Sequence, residues 1–356
     1  MRITAVDARV EAIPLARPYT ITFRTVTAIE TVVVRVHDSA GRVGLGAASP
    51  EPHVTGETNL ACQAALAPDA LGWLVGRDVR TLPELARSLG ARLGATPAAR
   101  AALDMALHDL WAQALGLPLC DLLGRAHRML PTSITIGIKP TDEALAEADE
   151  YVGRGFIALK VKIGRDLEAD IERLHKLRER VGPGIALRAD ANQGYSVEQT
   201  RRFFVATAAL GLELLEQPIA AAATRALSEL PADMCARIAA DEGLLTPADA
   251  LALAVPPHPC GVFNIKLMKC GGLWPALRIA TVAELAGIAL MWGCMDESRI
   301  GIAAALHGAF ASPATRLLDL DGSLDLARDV AAGGFVLEDG CLRTTSAPGL
   351  GLTLLA

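Results

Sequence analysis

The pattern of apolar and polar residues divides the chain into an N-terminal part that begins with strands and a longer part in which strands alternate with helices. Residues 3–13 alternate, residues 31–36 are mostly β-branched, and residues 43–47 follow a turn at 38–41. The threonine-rich residues 16–27 are predicted to form a loop. From about residue 58 to 115 the apolar spacing is helical. We therefore predict an α+β domain over residues 1–125.

After Pro131, eight short apolar runs alternate with longer helical stretches. These runs cover residues 133–138, 157–162, 185–190, 212–216, 237–241, 262–266, 288–294 and 317–319. Eight strand–helix repeats are typical of a β/α barrel. The pattern thus predicts an α/β protein with a barrel over residues 126–325. We expect the last segment, residues 326–356, to return to the N-terminal domain.

Charged residues stand at the ends of five consecutive predicted strands, although buried parallel strands are usually apolar throughout. Successive charged ends are 25 to 28 residues apart, which is the length of one strand–helix unit. Because the carboxyl ends of barrel strands meet at one rim, these side chains are candidates for the catalytic centre. They are Lys160 with Lys162, then Asp190, Glu216, Asp241 and Lys266.

The three carboxylates of this series can converge on one cation, because they lie on three neighbouring strands. Asp190, Glu216 and Asp241 offer oxygen ligands only, which favours Mg²⁺ or Mn²⁺ over Zn²⁺. The seven cysteines are scattered and form no Cys-x-x-Cys pair that would hold zinc. The sequence therefore predicts a magnesium site at the barrel rim.

The lysines of the series point to proton transfer. Strands 2 and 6 of an eight-stranded barrel are opposite each other, so Lys162 and Lys266 are expected to face each other across the metal. A divalent cation stabilises the charge that develops when a carbon acid next to a carboxylate loses its proton. Lys160 is on the same side of its strand and can lower the pKa of Lys162. Two opposed bases indicate racemisation or epimerisation.

Composition and charge exclude several other classes of protein. The 356 residues carry a net charge of −6 and only 4% aromatic residues, which argues against a nucleic-acid or anionic-membrane partner. No apolar stretch approaches the roughly 18 residues of a membrane span. The charged N-terminus shows no signal peptide, and the unpaired cysteines suit a reducing compartment, so we expect a cytoplasmic protein. A homo-oligomer is compatible with these features.

Five motifs resemble the muconate-lactonizing subgroup of the enolase superfamily. They are KVK at 160–162, DANQ at 190–193, EQP at 216–218, DE at 241–242 and NIKLMKCGG at 264–272. The resemblance covers nearly the whole chain. It implies a modified (β/α)7β TIM barrel with an N-terminal α+β capping domain. It also implies Mg²⁺ on Asp190, Glu216 and Asp241, with Lys162 and Lys266 as the two bases and Lys160 against the substrate carboxylate.

The predicted substrate follows from the residues around this centre. Asp319 and Asp321, two residues apart at the end of strand 8, point the same way and can bind an ammonium group. They are similar to the Asp-x-Asp motif of dipeptide epimerases. Arg24, in the loop 16–27, resembles the arginine with which L-Ala-D/L-Glu epimerases meet the glutamate side chain. The resemblance adds Thr135 as a substrate contact, and Glu297 is a supporting polar residue after strand 7.

The resemblance therefore implies a Mg²⁺-dependent dipeptide epimerase that transfers a proton at the Cα of the C-terminal residue, with L-Ala-D/L-Glu as the expected substrate. It would place the protein in the recycling of cell-wall (peptidoglycan) peptides. Within the same subgroup, the alternatives are an N-acylamino-acid racemase, an o-succinylbenzoate synthase and a muconate cycloisomerase. A non-enzymatic alternative is a metal-binding barrel that only binds peptides.

Overall fold

The N-terminal part is built on a three-stranded antiparallel sheet. The structure, a computed structural model, describes residues 1–20 and 25–355. The sheet has the order β1-β2-β3, formed by Ile3–Thr20, Thr25–Asp38 and Val43–Ala48. The prediction of a loop over 16–27 is corrected for the described residues, because β1 continues to Thr20 and β2 begins at Thr25, where the two residues pair. The β-branched residues here favour extended backbone over a polar loop.

Six helices complete this part of the chain, as the helical spacing predicted. They are α1 (Pro52–Thr55), α2 (Asn59–Ala65), α3 (Pro68–Leu71), α4 (Leu82–Arg92), α5 (Pro97–Leu115) and α6 (Leu119–Leu123). Helix α5 starts at Pro97, but the side chain of Thr96 does not cap it. The carboxylate of Glu57 instead accepts hydrogen bonds from the first free amides, those of Ala98 and Ala99.

Helix α5 packs unusually close to strand β3. A Cβ atom at Gly44 or Gly46 would lie 2.1 Å and 1.8 Å from the carbonyl oxygens of Ala106 and Ala102. Only glycine permits this approach. Gly44 and Gly46 therefore serve sheet–helix packing.

The second part is the predicted barrel. Its eight parallel strands are β5 (Ile134–Ile136), β6 (Ala158–Lys162), β7 (Ala186–Asp190), β8 (Leu214–Glu216), β9 (Ile238–Ala240), β10 (Val262–Ile265), β11 (Ala289–Gly293) and β12 (Thr315–Asp319), after a short β4 (Leu130–Pro131). Each lies within or beside one predicted apolar run. Eight helices follow the strands: α7 (Thr141–Gly153), α8 (Leu167–Val181), α9 (Val197–Ala206), α10 (Ala232–Cys235), α11 (Pro247–Leu253), α12 (Leu267–Cys270), α13 (Leu273–Ala286) and α14 (Arg299–Phe310). The α/β fold with a capped TIM barrel is confirmed.

The last segment contacts both parts. Strands β13 (Ala331–Gly333) and β16 (Leu352–Leu354) pair with each other, while β14 (Phe335–Glu338) and β15 (Cys341–Thr344) form a sheet with β4 at the start of the barrel. A buried cluster joins Ile13 and Val33 of the N-terminal sheet to Ile300 and Ala331. This packing fixes the N-terminal sheet over the barrel. Among the described residues, no helix has the length and apolarity of a membrane span.

Candidate active site

One pocket lies at the carboxyl ends of the barrel strands, beneath the N-terminal part. It encloses about 880 Å³, including its open mouth. Seven of the predicted site residues line it: Thr135, Lys160, Lys162, Asp241, Lys266, Asp319 and Asp321. Asp190 and Glu216 contact these lysines from below and are fully buried. The structure thus brings all three lysines and all three carboxylates of the spacing argument together.

The carboxylates are held by the strands that carry them. Asp190 and Glu216 end β7 and β8 and are direct neighbours in the parallel register. Asp241 follows β9, and its backbone amide donates to Oε1 of Gln217 at 3.0 Å. Oε1 of Glu216 accepts from Nδ2 of Asn264 at 2.8 Å. These contacts fix three carboxylates on adjacent strands.

The lysine ammonium groups lie against these carboxylates. Nζ of Lys162 is 2.6 Å from Oδ2 of Asp190, and Nζ of Lys266 is 2.8 Å from Oδ2 of Asp241. Nζ of Lys160 lies 2.8 Å from Oε2 of Glu216. With the lysines so placed, no three acidic, histidine or cysteine side chains within residues 1–20 and 25–355 form a ready metal-binding group.

The residues present nevertheless fit a magnesium ion. Oε2 of Glu216 is buried and makes no hydrogen bond, although it lies near Lys160. A buried carboxylate oxygen that accepts no hydrogen bond and has only this ion pair can take a cation as a further partner. The carboxylates of Asp190 and Asp241 add further oxygen donors on the neighbouring strands, and such hard oxygen donors suit Mg²⁺. Asp190, Glu216 and Asp241 are therefore the residues that would hold the cation.

The mutual repulsion of the buried carboxylates appears in their pKa values. Burial and the neighbouring Asp190 raise the pKa of Glu216 to about 8. Burial opposes ionisation of Asp190 as well, but Lys162 and Lys160 outweigh it and hold its pKa at about 2. Burial would lower the pKa of Lys266, but Asp241 and Glu216 raise it above the usual lysine value. The centre thus binds positive charge strongly.

The acidic pair at the end of β12 divides its contacts. Oδ2 of Asp319 lies 2.7 Å from Nζ of Lys160, and Oδ1 accepts from Oγ of Ser133 at 2.6 Å. Asp321 accepts at Oδ2 from the backbone amide of Thr135 at 2.8 Å. Burial and Asp319 raise the pKa of Asp321 to about 7. Asp321, rather than Asp319, is therefore the carboxylate that an additional positively charged partner would stabilise more.

One predicted substrate residue, Glu297, is placed differently. Glu297 does not line the pocket: it is buried under the loop after β11, where Oε1 accepts from the amide of Met295 at 2.9 Å. Glu297 therefore holds the backbone of Met295, which lines the pocket. The interpretation of Arg24 falls outside the described residues.

Sequence reasoning missed the acids that line the outer part of the pocket. Glu51 precedes α1, Asp296 follows β11, and Asp325 follows the turn after β12. It also missed the buried polar residues that position the centre, Asn264 among them. Their only signal was a polar residue inside an otherwise apolar strand. Lys269 contacts the carboxylate of Asp241 and donates to the carbonyl of Asn264 at 3.0 Å.

Comparison with known proteins agrees with this geometry. Residues 3–124 match the family described as mandelate racemase / muconate lactonizing enzyme, N-terminal domain, and residues 143–356 match the enolase C-terminal domain-like family. The chain belongs to the mandelate racemase / muconate lactonizing enzyme family. The expected membership of the enolase superfamily is confirmed, and the full-length relatives described next, which are epimerases, make the chain an isomerase.

Members of this family match the chain over nearly its whole length. An L-Lys-D/L-Arg epimerase of Methylococcus capsulatus is 62% identical over 99% of both chains. An L-Ala-D/L-Glu epimerase of Bacillus subtilis is 34% identical over 99% of this chain and 97% of its own. The crystal structure of a dipeptide epimerase from Methylococcus capsulatus, complexed with Mg and the dipeptide L-Arg-D-Lys, superposes with a TM-score of 0.98 at 61% identity, covering 99% of this chain and 100% of the other.

Proposed function

We propose that this isomerase is a Mg²⁺-dependent dipeptide epimerase that prefers dipeptides with cationic side chains. The observation that carries the reaction type is the placement of Lys162 and Lys266 in one pocket, on β6 and β10. These are the second and sixth strands of the eight, so the two amines approach a bound substrate from opposite faces. An epimerase requires one base on each face of the carbon atom.

The reaction breaks and re-forms one C–H bond. One lysine accepts the proton from Cα of the C-terminal residue, and the electron pair left on carbon is delocalised into the adjacent carboxylate. The opposite lysine, initially protonated, donates its proton to the other face. Mg²⁺ bound to Asp190, Glu216 and Asp241 would supply positive charge that stabilises the charge developing on the substrate carboxylate, and it would compete with the lysines for these acids.

The free amino group of the dipeptide is recognised by Asp319 and Asp321. Both carboxylates line the pocket, and a buried ammonium requires such partners. N-Acylamino acids and the substrates of o-succinylbenzoate synthases and muconate cycloisomerases lack this group. The acidic pair therefore supports a dipeptide over these alternatives.

The charge of the outer pocket supports cationic side chains. Glu51, Asp296 and Asp325 line it. Among the described lining residues, positive charge comes only from Lys160, Lys162 and Lys266, and all three lie at the reaction centre. Lysine and arginine side chains can form charge-assisted hydrogen bonds with the three outer acids. The 62% identical relative, an L-Lys-D/L-Arg epimerase, supports the same preference.

The L-Ala-D/L-Glu preference expected from the sequence is the second candidate. It depends on Arg24, and an L-Ala-D/L-Glu epimerase is 34% identical to this chain. A glutamate side chain would face the outer acids and be repelled by them. A role in peptidoglycan recycling depends on this second candidate. That role, a cytoplasmic location and a homo-oligomer all stay predictions.

A panel of dipeptides in D₂O tests the preference. The purified enzyme with Mg²⁺ is incubated with L-Lys-L-Arg, L-Ala-L-Arg, L-Ala-L-Glu and N-acetyl-L-Arg, and ¹H NMR follows the Cα proton and the diastereomer ratio. We expect kcat/KM for L-Lys-L-Arg to exceed that for L-Ala-L-Glu by at least about tenfold, the equivalent of one ion pair. The reverse order would favour the second candidate, and turnover of N-acetyl-L-Arg alone would overturn the assignment of a dipeptide.

A further inference from the structure

A buried arginine lies in the barrel interior directly below the reaction centre. Arg188 is on β7, in register with Lys160 of β6 and two residues before Asp190, and its side chain is only 2% exposed. Its Nε donates to Oε2 of Glu213 at 2.6 Å. Burial of a guanidinium group is costly, and Glu213, whose side chain is 38% exposed, offsets only part of that cost. The other hydrogen bonds of the Arg188 guanidinium must therefore supply the rest of the stabilisation.

Those contacts reach across the barrel to the first and last strands. Nη1 of Arg188 donates to the carbonyl of Leu318 at 2.6 Å and to Oγ of Ser133 at 3.1 Å. Leu318 is on β12, and Ser133 immediately precedes β5. Through these hydrogen bonds, Arg188 of β7 is connected to β12 and to the residue that precedes β5.

The junction between β5 and β12 is the place where the barrel closes, and we call it the seam. In the described chain its backbone pairing consists of an isolated bridge between Thr132 and Leu318, with the amide of Ser133 donating to Leu318 at 3.0 Å. Side chains supply the rest: the amide of Leu320 donates to Oγ1 of Thr132 at 2.9 Å. A seam with so few ladder hydrogen bonds depends on these side-chain contacts for its register.

The seam also carries the acidic pair. Asp319 follows Leu318 directly and accepts from the same Ser133 hydroxyl that Arg188 contacts. Asp321, two residues on, is held by the amide of Thr135 on β5. Any slip of β12 against β5 would therefore displace both carboxylates.

We propose that Arg188 is a positioning residue that locks the seam and thereby holds Asp319 and Asp321 where the ammonium group of the substrate binds. The inference rests on the proposed function, in which this pair recognises the free amino group. The contacts run from Arg188 to Ser133 and Leu318, and from there to Asp319. Arg188 itself does not line the pocket and so has no contact with the substrate.

The test compares substrates that do and do not carry the ammonium group. Variants Arg188→Met, Arg188→Lys and Ser133→Ala are assayed by Cα-proton exchange on a dipeptide and on its analogue in which hydrogen replaces the N-terminal amino group. A shift of about 1 Å in a binding group can lower the rate about 100-fold. We therefore expect R188M to lower kcat/KM for the dipeptide by up to about 100-fold, mainly through KM, and exchange of the analogue by far less. R188K is expected to recover part of the loss.

Arg178 provides a matched control. Its guanidinium also donates to backbone carbonyls, those of Leu210, Gly182 and Ile185, but on the outer side of the barrel. R178M should lower thermal stability without changing the ratio between dipeptide and analogue. If R188M does not fold, S133A tests the same connection through the loss of one hydroxyl. Equal losses on both substrates would overturn the positioning role.

A crystal structure of R188M or S133A separates this inference from the proposed function. If the wild-type enzyme exchanges the Cα proton of no dipeptide, the proposed function fails, and the structure still decides the role of the seam. We expect Asp319 to shift by about 1 Å relative to the wild-type position, which exceeds the roughly 0.5 Å tolerance of a binding site. An unmoved Asp319 and an intact seam in the variants would overturn the inference.

Discussion

The two sides of the pocket are built from different kinds of structure. The strand side consists of Lys160, Lys162, Asp190, Glu216 and Lys266, which lie on the barrel strands or directly at their ends. The loop side consists of the acids between elements; these are Glu51, Asp296 and Asp325. The strand side carries the groups proposed for proton transfer, and the loop side carries the charge proposed to select side chains. Rigid strands hold catalytic groups in a fixed geometry, whereas loops can vary in sequence without disturbing these groups.

Removal of one base on the strand side should have the largest effect. We expect Lys162→Met and Lys266→Met each to lower epimerisation by about 10³-fold or more, because general acid–base catalysis contributes about that much. Each variant should still exchange the Cα proton of one epimer, the one that faces the remaining lysine. ¹H NMR in D₂O, started separately from each epimer, measures this. Exchange of both epimers at wild-type rates in either variant would contradict the two-base assignment.

Asp321 lies where the strand side meets the loop side. Asp321→Asn keeps an oxygen for the amide of Thr135 but removes the charge. We expect KM for a dipeptide to rise about tenfold or more, with a smaller effect on kcat, because a charged hydrogen bond to the ammonium is lost. Steady-state kinetics on a dipeptide and its des-amino analogue measure the effect. An equal loss on both substrates would argue against ammonium recognition.

The pH dependence of KM offers a second test of Asp321. Burial and Asp319 raise the pKa of Asp321 to about 7, so its carboxylate is protonated as the pH falls below that value. Since the protonated form binds an ammonium weakly, KM of the wild type should rise as the pH falls through about 7. In D321N this rise should be absent. An unchanged pH profile in the variant would assign the titration to another group.

Changes on the loop side should alter selectivity more than rate. We expect Glu51→Gln and Asp296→Asn to lower the preference for L-Lys-L-Arg over L-Ala-L-Glu by about tenfold each, the worth of about 1.4 kcal/mol. Competition of the two dipeptides in one NMR sample measures the ratio directly. Glu179→Gln is the matched control, since Glu179 is exposed on α8 and does not line the pocket. An unchanged ratio in both variants would show that Glu51 and Asp296 do not select the side chains of the substrate.

Glu297 should affect stability and have the smallest effect on activity. Burial raises its pKa from 4.5 to about 7, so between these pH values the folded protein keeps a proton that the unfolded chain releases. The free energy of unfolding therefore falls as the pH rises through this range, by no more than about 3 kcal/mol. Glu297→Gln has no proton to release. The stability of this variant relative to the wild type should therefore be greater at about pH 8 than at about pH 5. Thermal melts at both pH values check this, and a pH-independent difference would contradict it.

The sequence was informative where function depends on regular spacing. The intervals of 25 to 28 residues placed Lys162, Asp190, Glu216, Asp241 and Lys266 at or directly after the strand ends, where the structure has them. Spacing of this kind is regular because each strand–helix unit must return to the same rim of the barrel. The barrel followed from the same periodicity, whereas the capping role of the N-terminal domain followed from the family resemblance.

Contacts that form only when the barrel closes could not be predicted in this way. Arg188 and Ser133 are 55 residues apart and meet across the barrel interior. Glu57 caps helix α5 from 41 residues upstream, whereas the side chain of the adjacent Thr96 makes no capping hydrogen bond. Glu51 and Asp296 line one pocket although they lie on different parts of the fold. Such pairings depend on tertiary packing, which leaves no periodic trace in a single sequence.

The most direct test of the central claim is the isotopic outcome of a single conversion. L-Lys-L-Arg is incubated with the wild-type enzyme and Mg²⁺ in D₂O, and ¹H NMR and mass spectrometry follow substrate and product at early times. Two opposed lysines predict that the L-Lys-D-Arg product carries deuterium at Cα from its first appearance. If the Cα proton of every dipeptide in the panel were retained and no second diastereomer formed, the account of Lys162 and Lys266 as opposed epimerisation bases would be contradicted.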